Sequence, residues 1–310
     1  MRGVIRCYRH SGVHVVSTID LPEWAAFRDD DGFSVDQADV TIALAQGPFA
    51  PTEMPDGVAV AEQGRVRFDV EGVGRWLVSA GQDIVVDPHT HCGAPELRLF
   101  TIGTAWAVLG YQRGWLMCHG SVVVPHGSKQ AILLTGASGQ GKSTAAAALV
   151  AAGGTLLADD VCRIESAAGA SALAHPSAGY LKLWGDAVEA FSWGDRIAAQ
   201  DHFRADKFLC APPSGPMTLT QPVPIGAIVV LGWDEALSLQ RFRGTDAIAQ
   251  VLSAACYRPQ AIDVLNAWPG QAKAWLTVLQ HTPVYSFRRP KEFAQIDAAN
   301  RLLEKVQTLP

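Results

Sequence analysis

Residues 136–144, Gly-Ala-Ser-Gly-Gln-Gly-Lys-Ser-Thr, follow the spacing G-x-x-x-x-G-K-[ST], in which each residue type has a chemical use. Glycines let the backbone curl so that successive N–H groups point at one anion, such as a phosphate. Lys142 supplies a compact cation for the outer phosphates, and Ser143 supplies a hydroxyl for Mg²⁺. We therefore expect the whole loop to bind phosphates: Gly136, Ala137, Ser138, Gly139, Gln140, Gly141, Lys142, Ser143 and Thr144.

The elements that must position this loop are a strand before it and a helix after it. The apolar run 131–135 is typical of a strand, and the Ala- and Leu-rich segment 144–152 is typical of a helix. Strand, glycine loop and helix in this order are the context in which the motif binds phosphate, rather than matching by accident.

Two adjacent carboxylates, Asp159 and Asp160, come next in the chain. The pair Gly153-Gly154 ends the helix, and 155–160 is predicted to be a buried strand. Because the strands of such a βαβ unit run parallel, the acidic pair should lie at the same sheet edge as the glycine loop. One carboxylate can coordinate Mg²⁺, and the other can act as general base on an incoming hydroxyl. A solvated turn after the strand is the alternative interpretation.

Composition limits the class of protein. The chain has 310 residues, of which 48% are hydrophobic and 18% are charged, so it can bury a large core and is not disordered. A formal net charge of −5 argues against nonspecific nucleic-acid binding. Six dispersed cysteines without a C-x-x-C pair suggest reduced thiols. The sequence shows no secretory leader and no apolar run of about 18 residues. We expect a cytoplasmic protein that binds neither nucleic acid nor a membrane.

The chain is predicted to divide into an N-terminal, mostly antiparallel β module, residues 1–95, and an α/β domain, residues 96–310. Short alternating or β-branched runs indicate strands in the first part: 13–17, 40–45, 58–62, 65–70 and 76–79. A buried helix is expected over 97–111, and strands and helices alternate from residue 115 onward. The later part should contain strands at 225–233, 238–243 and 283–287 and helices at 246–257, 271–280 and 292–306.

Three further polar residues are candidates for the site. His119 lies on the strand before the loop and is either a satisfied core histidine or an active-site group; we favour the second interpretation. Arg204 and Lys207 are either solvated or aimed at the negative charge of a transferred phosphoryl group, where a cation is worth orders of magnitude in rate.

The segment 87–92, Asp-Pro-His-Thr-His-Cys, resembles a metal-binding cluster. Its possible ligands are His89, His91 and Cys92, but no fourth ligand is evident. A polar loop that joins two domains is therefore the favoured interpretation.

Three stretches of the sequence together match a known family. They are Cys-His-Gly-Ser-Val-Val-Val over 118–124, the glycine loop with its preceding strand, and Gly-Gly-Thr-Leu-Leu-Ala-Asp-Asp-Val over 153–161. A His-Gly pair before the loop and an Asp-Asp directly after its helix are more specific than the loop alone. In these features the chain resembles the HPr kinase/phosphorylase catalytic domain and its HPr-kinase-like relatives, over roughly residues 96–290.

This resemblance implies an α/β phosphate-loop kinase core that transfers the γ-phosphate of ATP, with Mg²⁺, to a serine or other hydroxyl on a protein or peptide. The relatives include kinases that phosphorylate lasso-peptide precursors, and the family resemblance also implies a homo-oligomer. The alternatives that stay open are an NTPase, a nucleotide-dependent binding protein without turnover and a small-molecule kinase.

We assign expected roles to the residues of this site. Lys142 and the loop amides hold the phosphates, Ser143 and Asp160 hold Mg²⁺, and Asp159 removes the hydroxyl proton. The sequence does not separate the two aspartates, so their roles could be swapped. His119 would orient Asp159 or contact the transferred group, and the cations Arg204 and Lys207 would assist the transfer.

Overall fold

The computed structural model describes residues 4–47, 49, 60–62, 64–166, 169–177, 179–201, 204–213, 215 and 219–308. Within them the protein is mixed α/β, with three β-sheets. Contacts divide the chain into two compact units, one of Met1–Met117 with Tyr257–Gln271 and the other of Cys118–Cys256 with Ala272–Pro310. Units defined by contacts are not the same as separate domains, so the division at residue 95 stays a prediction.

Among the described residues before residue 117, the first unit contains seven strands and two α-helices, besides 3-10 helices at Pro22–Phe27 and Val35–Gln37. The strands are β1 (Arg6–His10), β2 (Val13–Ser17), β3 (Val40–Leu44), β4 (Val60–Glu62), β5 (Arg65–Val70), β6 (Gly74–Ser79) and β7 (Asp83–Pro88). The helices are α1 (Ala94–Phe100) and α2 (Trp106–Gln112), joined by the π-helical turn Thr101–Ala105. The helix expected over 97–111 is therefore present as one helical stretch with a π turn in its middle.

The seven strands form one sheet in the order β1-β2-β3-β7-β6-β5-β4. The pairs β2–β3 and β3–β7 are parallel, and the other neighbours are antiparallel. The predicted strands are present, except that residues 58 and 59 lie outside the described part of the chain. Strands β1 and β7 were not predicted.

The rest of the chain contains eleven strands and six α-helices among the described residues. The strands are β8 (Leu116–Val124), β9 (Ala131–Thr135), β10 (Thr155–Ala158), β11 (Val161–Glu165), β12 (Leu173–Ala174), β13 (Leu181–Trp184), β14 (Ile197–Gln200), β15 (Lys207–Cys210), β16 (Val223–Trp233), β17 (Ser238–Phe242) and β18 (Val284–Arg289). The helices are α3 (Lys142–Ala151), α4 (Gly185–Ala190), α5 (Gly244–Ala255), α6 (Pro259–Val264), α7 (Trp268–Leu279) and α8 (Ile296–Glu304).

The central sheet of the second unit places the ends of several strands at one edge. Strand β16 pairs in parallel with both β9 and β18. Strands β9 and β10 are each antiparallel to β8, so they run in the same direction with β8 between them. The carboxyl ends of β9, β10, β16 and β18 therefore share one edge, as the βαβ interpretation requires.

Small side chains let α3 pack closely onto this sheet. Ala145, Ala146 and Ala147 are at least 95% buried and belong to the same core cluster as Leu181 and Leu183. The two leucines alternate with Lys182 and Trp184 on β13. The leucine face of the strand therefore packs into the core, and the face with Lys182 and Trp184 is less buried. Strand β13 starts a separate three-stranded sheet of order β13-β15-β14, which was not predicted.

None of the described helices combines the length and the apolar character that a membrane span needs.

Candidate active site

The glycine loop connects the end of β9 to the start of α3. Three of its glycines have positive φ angles, 145° at Gly136, 81° at Gly139 and 70° at Gly141. Residues with a Cβ rarely adopt these angles, so glycine is required for this path. Helix α3 begins at Lys142, two residues earlier than predicted, because the turn at Gly141 brings the chain directly into the helix.

The loop leaves backbone donors available. Among the described residues, the N–H groups of Gly139, Gly141, Lys142 and Ser143 have no acceptor. The loop is exposed at residues 137–139 and partly buried at Gln140. Unpaired N–H groups at the start of a helix form an anion-binding site, which the N-terminal end of the helix dipole reinforces.

Lys142 lies inside the curve of this loop. Its Nζ donates to the carbonyl oxygens of Gly136 at 2.9 Å and Ala137 at 3.1 Å. The residue is 9% exposed, and burial lowers its pKa, although the nearby charges of Asp159 and Asp160 oppose that shift. A desolvated cation held only by neutral carbonyls gains from the arrival of an anion. The remaining loop residue, Thr144, is partly exposed in the first turn of α3.

Asp159 follows β10 and is 6% exposed. It accepts three hydrogen bonds, from Ser121 Oγ at 2.5 Å, Lys182 N at 2.8 Å and Ser143 Oγ at 3.0 Å. Burial raises its pKa, although the hydrogen bonds from Lys182 and Ser121 act in the opposite direction. The bond with Ser143 brings the acidic pair to the first turn of the loop helix.

Asp160 points to different partners. Its carboxylate lies 2.7 Å from Lys182 Nζ and 3.4 Å from His119 Nδ1. Burial would raise its pKa, but the charge of Lys182 and the hydrogen bond from His119 outweigh burial, so the pKa is held well below its usual range. The side chain is 29% exposed, which makes it the more accessible of the two aspartates.

The backbone at Asp160 explains why the two carboxylates diverge. Its φ angle is 78°, in the left-handed region that asparagine and aspartate enter more readily than most residues. The sequence pairs Ser143 with Asp160 as metal ligands, with the roles of the two aspartates interchangeable, and expects His119 either to orient Asp159 or to contact the transferred group. In the structure Ser143 bonds Asp159, and His119 lies beside Asp160. Residues with strained backbone angles are frequent at functional sites.

His119 connects the site to β8 and β9. Its Nδ1 lies 3.1 Å from the carbonyl oxygen of Asp160, and its own carbonyl accepts a hydrogen bond from Thr135 Oγ1 at 2.9 Å. The next residue, Gly120, donates its N–H to the same Asp160 carbonyl at 3.3 Å. The His-Gly pair therefore supports the turn that carries Asp160.

The two predicted cations lie beside Trp184, which is 44% exposed. Lys207 Nζ is 5.6 Å and Arg204 Cζ is 5.9 Å from the centre of its ring. Lys207 is partly buried, and its pKa is lowered by burial and by the charges of Arg204 and Lys182. The charges of Asp159 and Asp160 act on the pKa of Lys207 in the opposite direction. Strand β15 pairs with β13 so that Lys207 lies opposite Trp184, two residues from Lys182. Arg204 is exposed.

Lys182 was not predicted as a site residue, although it holds both aspartates. Its N–H bonds Asp159 and its ammonium bonds Asp160. In the sequence, the alternation of 181–184 indicates a strand but does not reveal what Lys182 contacts.

The possible metal cluster at 87–92 does not assemble. Among the described residues, no group of three or more His, Cys, Asp or Glu side chains is arranged to hold a metal ion. His89 lies 3.5 Å from Asp69, and Cys92 Sγ contacts the carbonyl of Gly93.

Comparisons with known proteins add little to this geometry. No family model matches the chain, and no curated protein matches it. One similar solved structure is the Hpr(Ser) kinase/phosphatase from Coxiella burnetii, with 11% sequence identity, 62% of this chain and 97% of that chain covered, and a TM-score of 0.31. A likeness at this level carries no functional argument, so the function has to be argued from the site itself.

Proposed function

We propose that the protein is a Mg²⁺-dependent kinase that transfers the γ-phosphate of ATP to a serine or other hydroxyl on a protein or peptide. The observation that carries the proposal is the 3.0 Å hydrogen bond between Ser143 Oγ and Asp159 Oδ1. It joins an anion-binding loop to an acidic pair, and phosphoryl transfer needs both at one place.

The loop supplies the phosphate site in this proposal. The unpaired N–H groups of Gly139, Gly141, Lys142 and Ser143 bind phosphate oxygens, and Lys142 Nζ exchanges its carbonyl acceptors for the outer phosphates. The backbone donors are fixed before the ligand arrives, so binding reorganises little of the loop besides the Lys142 side chain.

The oxygens of Ser143 and Asp159 fit a magnesium ion. A hydroxyl and a carboxylate 3.0 Å apart are hard donors, and Mg²⁺ at nucleotides usually takes one or two such protein ligands together with phosphate oxygens and water. When bound, Mg²⁺ neutralises charge that develops on the phosphates. The proposal thus places Asp159, rather than Asp160, beside the metal.

Asp160 is then the carboxylate that faces the acceptor. Asp159 is 6% exposed; Ser121 and Lys182 hold its oxygens, and Mg²⁺ would replace the hydrogen of Ser143 there, which leaves little room for an incoming hydroxyl. Asp160 is held in place by Lys182 and His119 and is 29% exposed. Its lowered pKa makes it a weak base, which suits a loose transition state in which the proton leaves late.

Lys207 is the cation best placed to stabilise the transferred group. It is partly buried, and the charges of both aspartates act on its pKa, whereas Arg204 is exposed. A cation in a partly desolvated site interacts more strongly with developing negative charge than an exposed one.

Mass spectrometry tests the proposal directly. Purified protein is incubated with Mg·ATP and candidate acceptors, including peptides encoded beside this protein such as a lasso-peptide precursor, and the acceptors are searched for an added phosphate. Phosphate release without acceptor is measured in parallel. Phosphate release that stays unchanged when acceptors are added, with no acceptor phosphorylated, would favour an NTPase. A protein that binds neither ATP nor ADP would refute the proposal.

A further inference from the structure

Arg289, the last residue of β18, is buried next to the glycine loop. It is 8% exposed, and its guanidinium carbon lies 4.3 Å above the ring of Trp233, the last residue of β16. Strands β16 and β18 are parallel neighbours, and Trp233 and Arg289 are partners in their register. The two side chains therefore leave the sheet together, at the edge where the loop lies.

Both residues hold carbonyl groups of the loop. Trp233 Nε1 donates to the carbonyl of Gly139 at 3.0 Å. Arg289 Nη2 donates to the carbonyls of Gly141 at 3.0 Å and Gln140 at 3.3 Å. Three consecutive carbonyls are thus bound on one side of the loop, which leaves the N–H groups of Gly139 and Gly141 available to an anion.

The fit between this pair and the loop is close. A Cβ added at Gly141 would lie 2.5 Å from Arg289 Nη2 and 3.0 Å from the Trp233 ring. Glycine is therefore needed at this position for contact with the pair, in addition to its φ angle of 70°.

The charge of Arg289 is not balanced. Its Nη1 is buried and has no hydrogen-bond partner among the described residues, and no carboxylate contributes to the shift of its pKa, which burial lowers to about 10. A buried, unpaired cation is costly. This cost falls when negative charge is bound nearby, and the loop that Arg289 touches is an anion site.

We propose that Arg289 is a positioning residue of the phosphate loop and the buried counter-charge for a nucleoside di- or triphosphate bound there. The inference rests on the nucleotide binding proposed above. Two effects follow: Arg289 and Trp233 preorganise the loop for any nucleotide, and the guanidinium charge favours ligands with more phosphate charge.

Binding of Mg·ATP and Mg·ADP, measured by calorimetry, separates these effects. Arg289→Gln keeps a donor for the loop carbonyls but removes the charge, and we expect ATP affinity to fall about tenfold or more and ADP affinity to fall less. Arg289→Lys keeps the positive charge but lacks the planar guanidinium with its several N–H donors. It should retain the wild-type ratio of ATP to ADP affinity. Arg288→Gln removes a charge from the adjacent residue, which points to the opposite face of β18, and should change neither affinity.

Equal loss of affinity for both nucleotides in Arg289→Gln, or no loss, would overturn the inference, because a purely structural role does not depend on the number of phosphates. If circular dichroism shows that the glutamine variant does not fold, Arg289→Met serves as the second charge-free variant. A changed ratio of ATP to ADP affinity in Arg289→Lys would also count against the inference. Failure of the wild type to bind either nucleotide is a different result, which refutes the proposed function itself.

Discussion

Ser143 Oγ donates a hydrogen bond to Asp159 Oδ1 over 3.0 Å, which joins the first turn of α3 to the residue after β10. These residues are brought together although β8 lies between β9 and β10 in the sheet. Asp160, the next residue, turns away to Lys182 and His119. The backbone turn at Asp160 therefore gives the two carboxylates different partners, and the role proposed for each can be tested separately.

Replacing Lys142 by alanine should abolish phosphotransfer and leave the protein folded. Among the described residues its Nζ donates hydrogen bonds to two loop carbonyls, so the fold should lose little, whereas bound phosphates would lose their cation. We expect kcat/KM to fall by about 10²-fold or more. Steady-state kinetics and a thermal melt of the variant check both parts; full activity would show that the loop is not the phosphate site.

The two aspartates should give opposite kinetic signatures when each is replaced by asparagine. Asp159→Asn should raise the Mg²⁺ concentration required for half-maximal activity by about tenfold or more, because it weakens the oxygen ligand beside Ser143. Asp160→Asn should keep the nucleotide and Mg²⁺ requirements but lower kcat by about 10² to 10⁴-fold. Magnesium titrations at saturating ATP distinguish them, and exchanged signatures would restore the assignment made from sequence.

The local parts of this site could be predicted from sequence, and the distant contacts could not. The glycine loop, the strand before it, the helix after it and the acidic pair that follows are local features. They depend on residues close together in the chain, whose types indicate the backbone conformation. Lys182, Trp233 and Arg289 reach the site from strands far along the chain, so their contacts depend on strand pairing. The direction of Asp160 depends on one positive φ angle, and aspartate permits that angle without requiring it.

Acid should remove a stabilising contribution of Asp160. Because its pKa is lower in the folded protein than the ordinary 3.8, ionised Asp160 stabilises the fold above that value, and this stability is lost as the pH falls through the folded pKa. The free energy of unfolding of Asp160→Asn, measured by urea denaturation, should lie below that of the wild type at pH 7, and the two should converge toward pH 2.

Asp159 provides the control with the opposite sign. Burial raises its pKa, so its ionisation above pH 3.8 disfavours the folded state, and the wild type should lose stability relative to Asp159→Asn as the pH rises. Parallel pH trends in the two variants would contradict the pKa directions in this site.

Lys207 and Arg204 should differ in their effect on turnover. Lys207→Ala is expected to lower kcat by about 10²-fold, because a partly buried cation near the acidic pair is removed. Arg204→Ala should cost less than about tenfold, since Arg204 is exposed and its charge is screened. The two variants remove the same contact type from Trp184, so equal losses would indicate a structural role for that contact rather than a catalytic one.

Gly120 should be intolerant of a side chain for steric reasons. A Cβ at this position would lie 2.6 Å from the carbonyl oxygen of Leu134 and 3.0 Å from the Leu133 side chain, within the β8–β9 pairing. Gly120→Ala must separate these strands, and we expect it to lower the free energy of unfolding by about 1–3 kcal/mol. Gly194→Ala is the matched control, because no atom of the described residues other than its chain neighbours lies within 4 Å of its added Cβ. Urea denaturation compares them. Equal stability of the two variants would mean that β8 and β9 are not closely paired at Gly120. It would also argue against the support that His119, the neighbouring residue on β8, gives to Asp160.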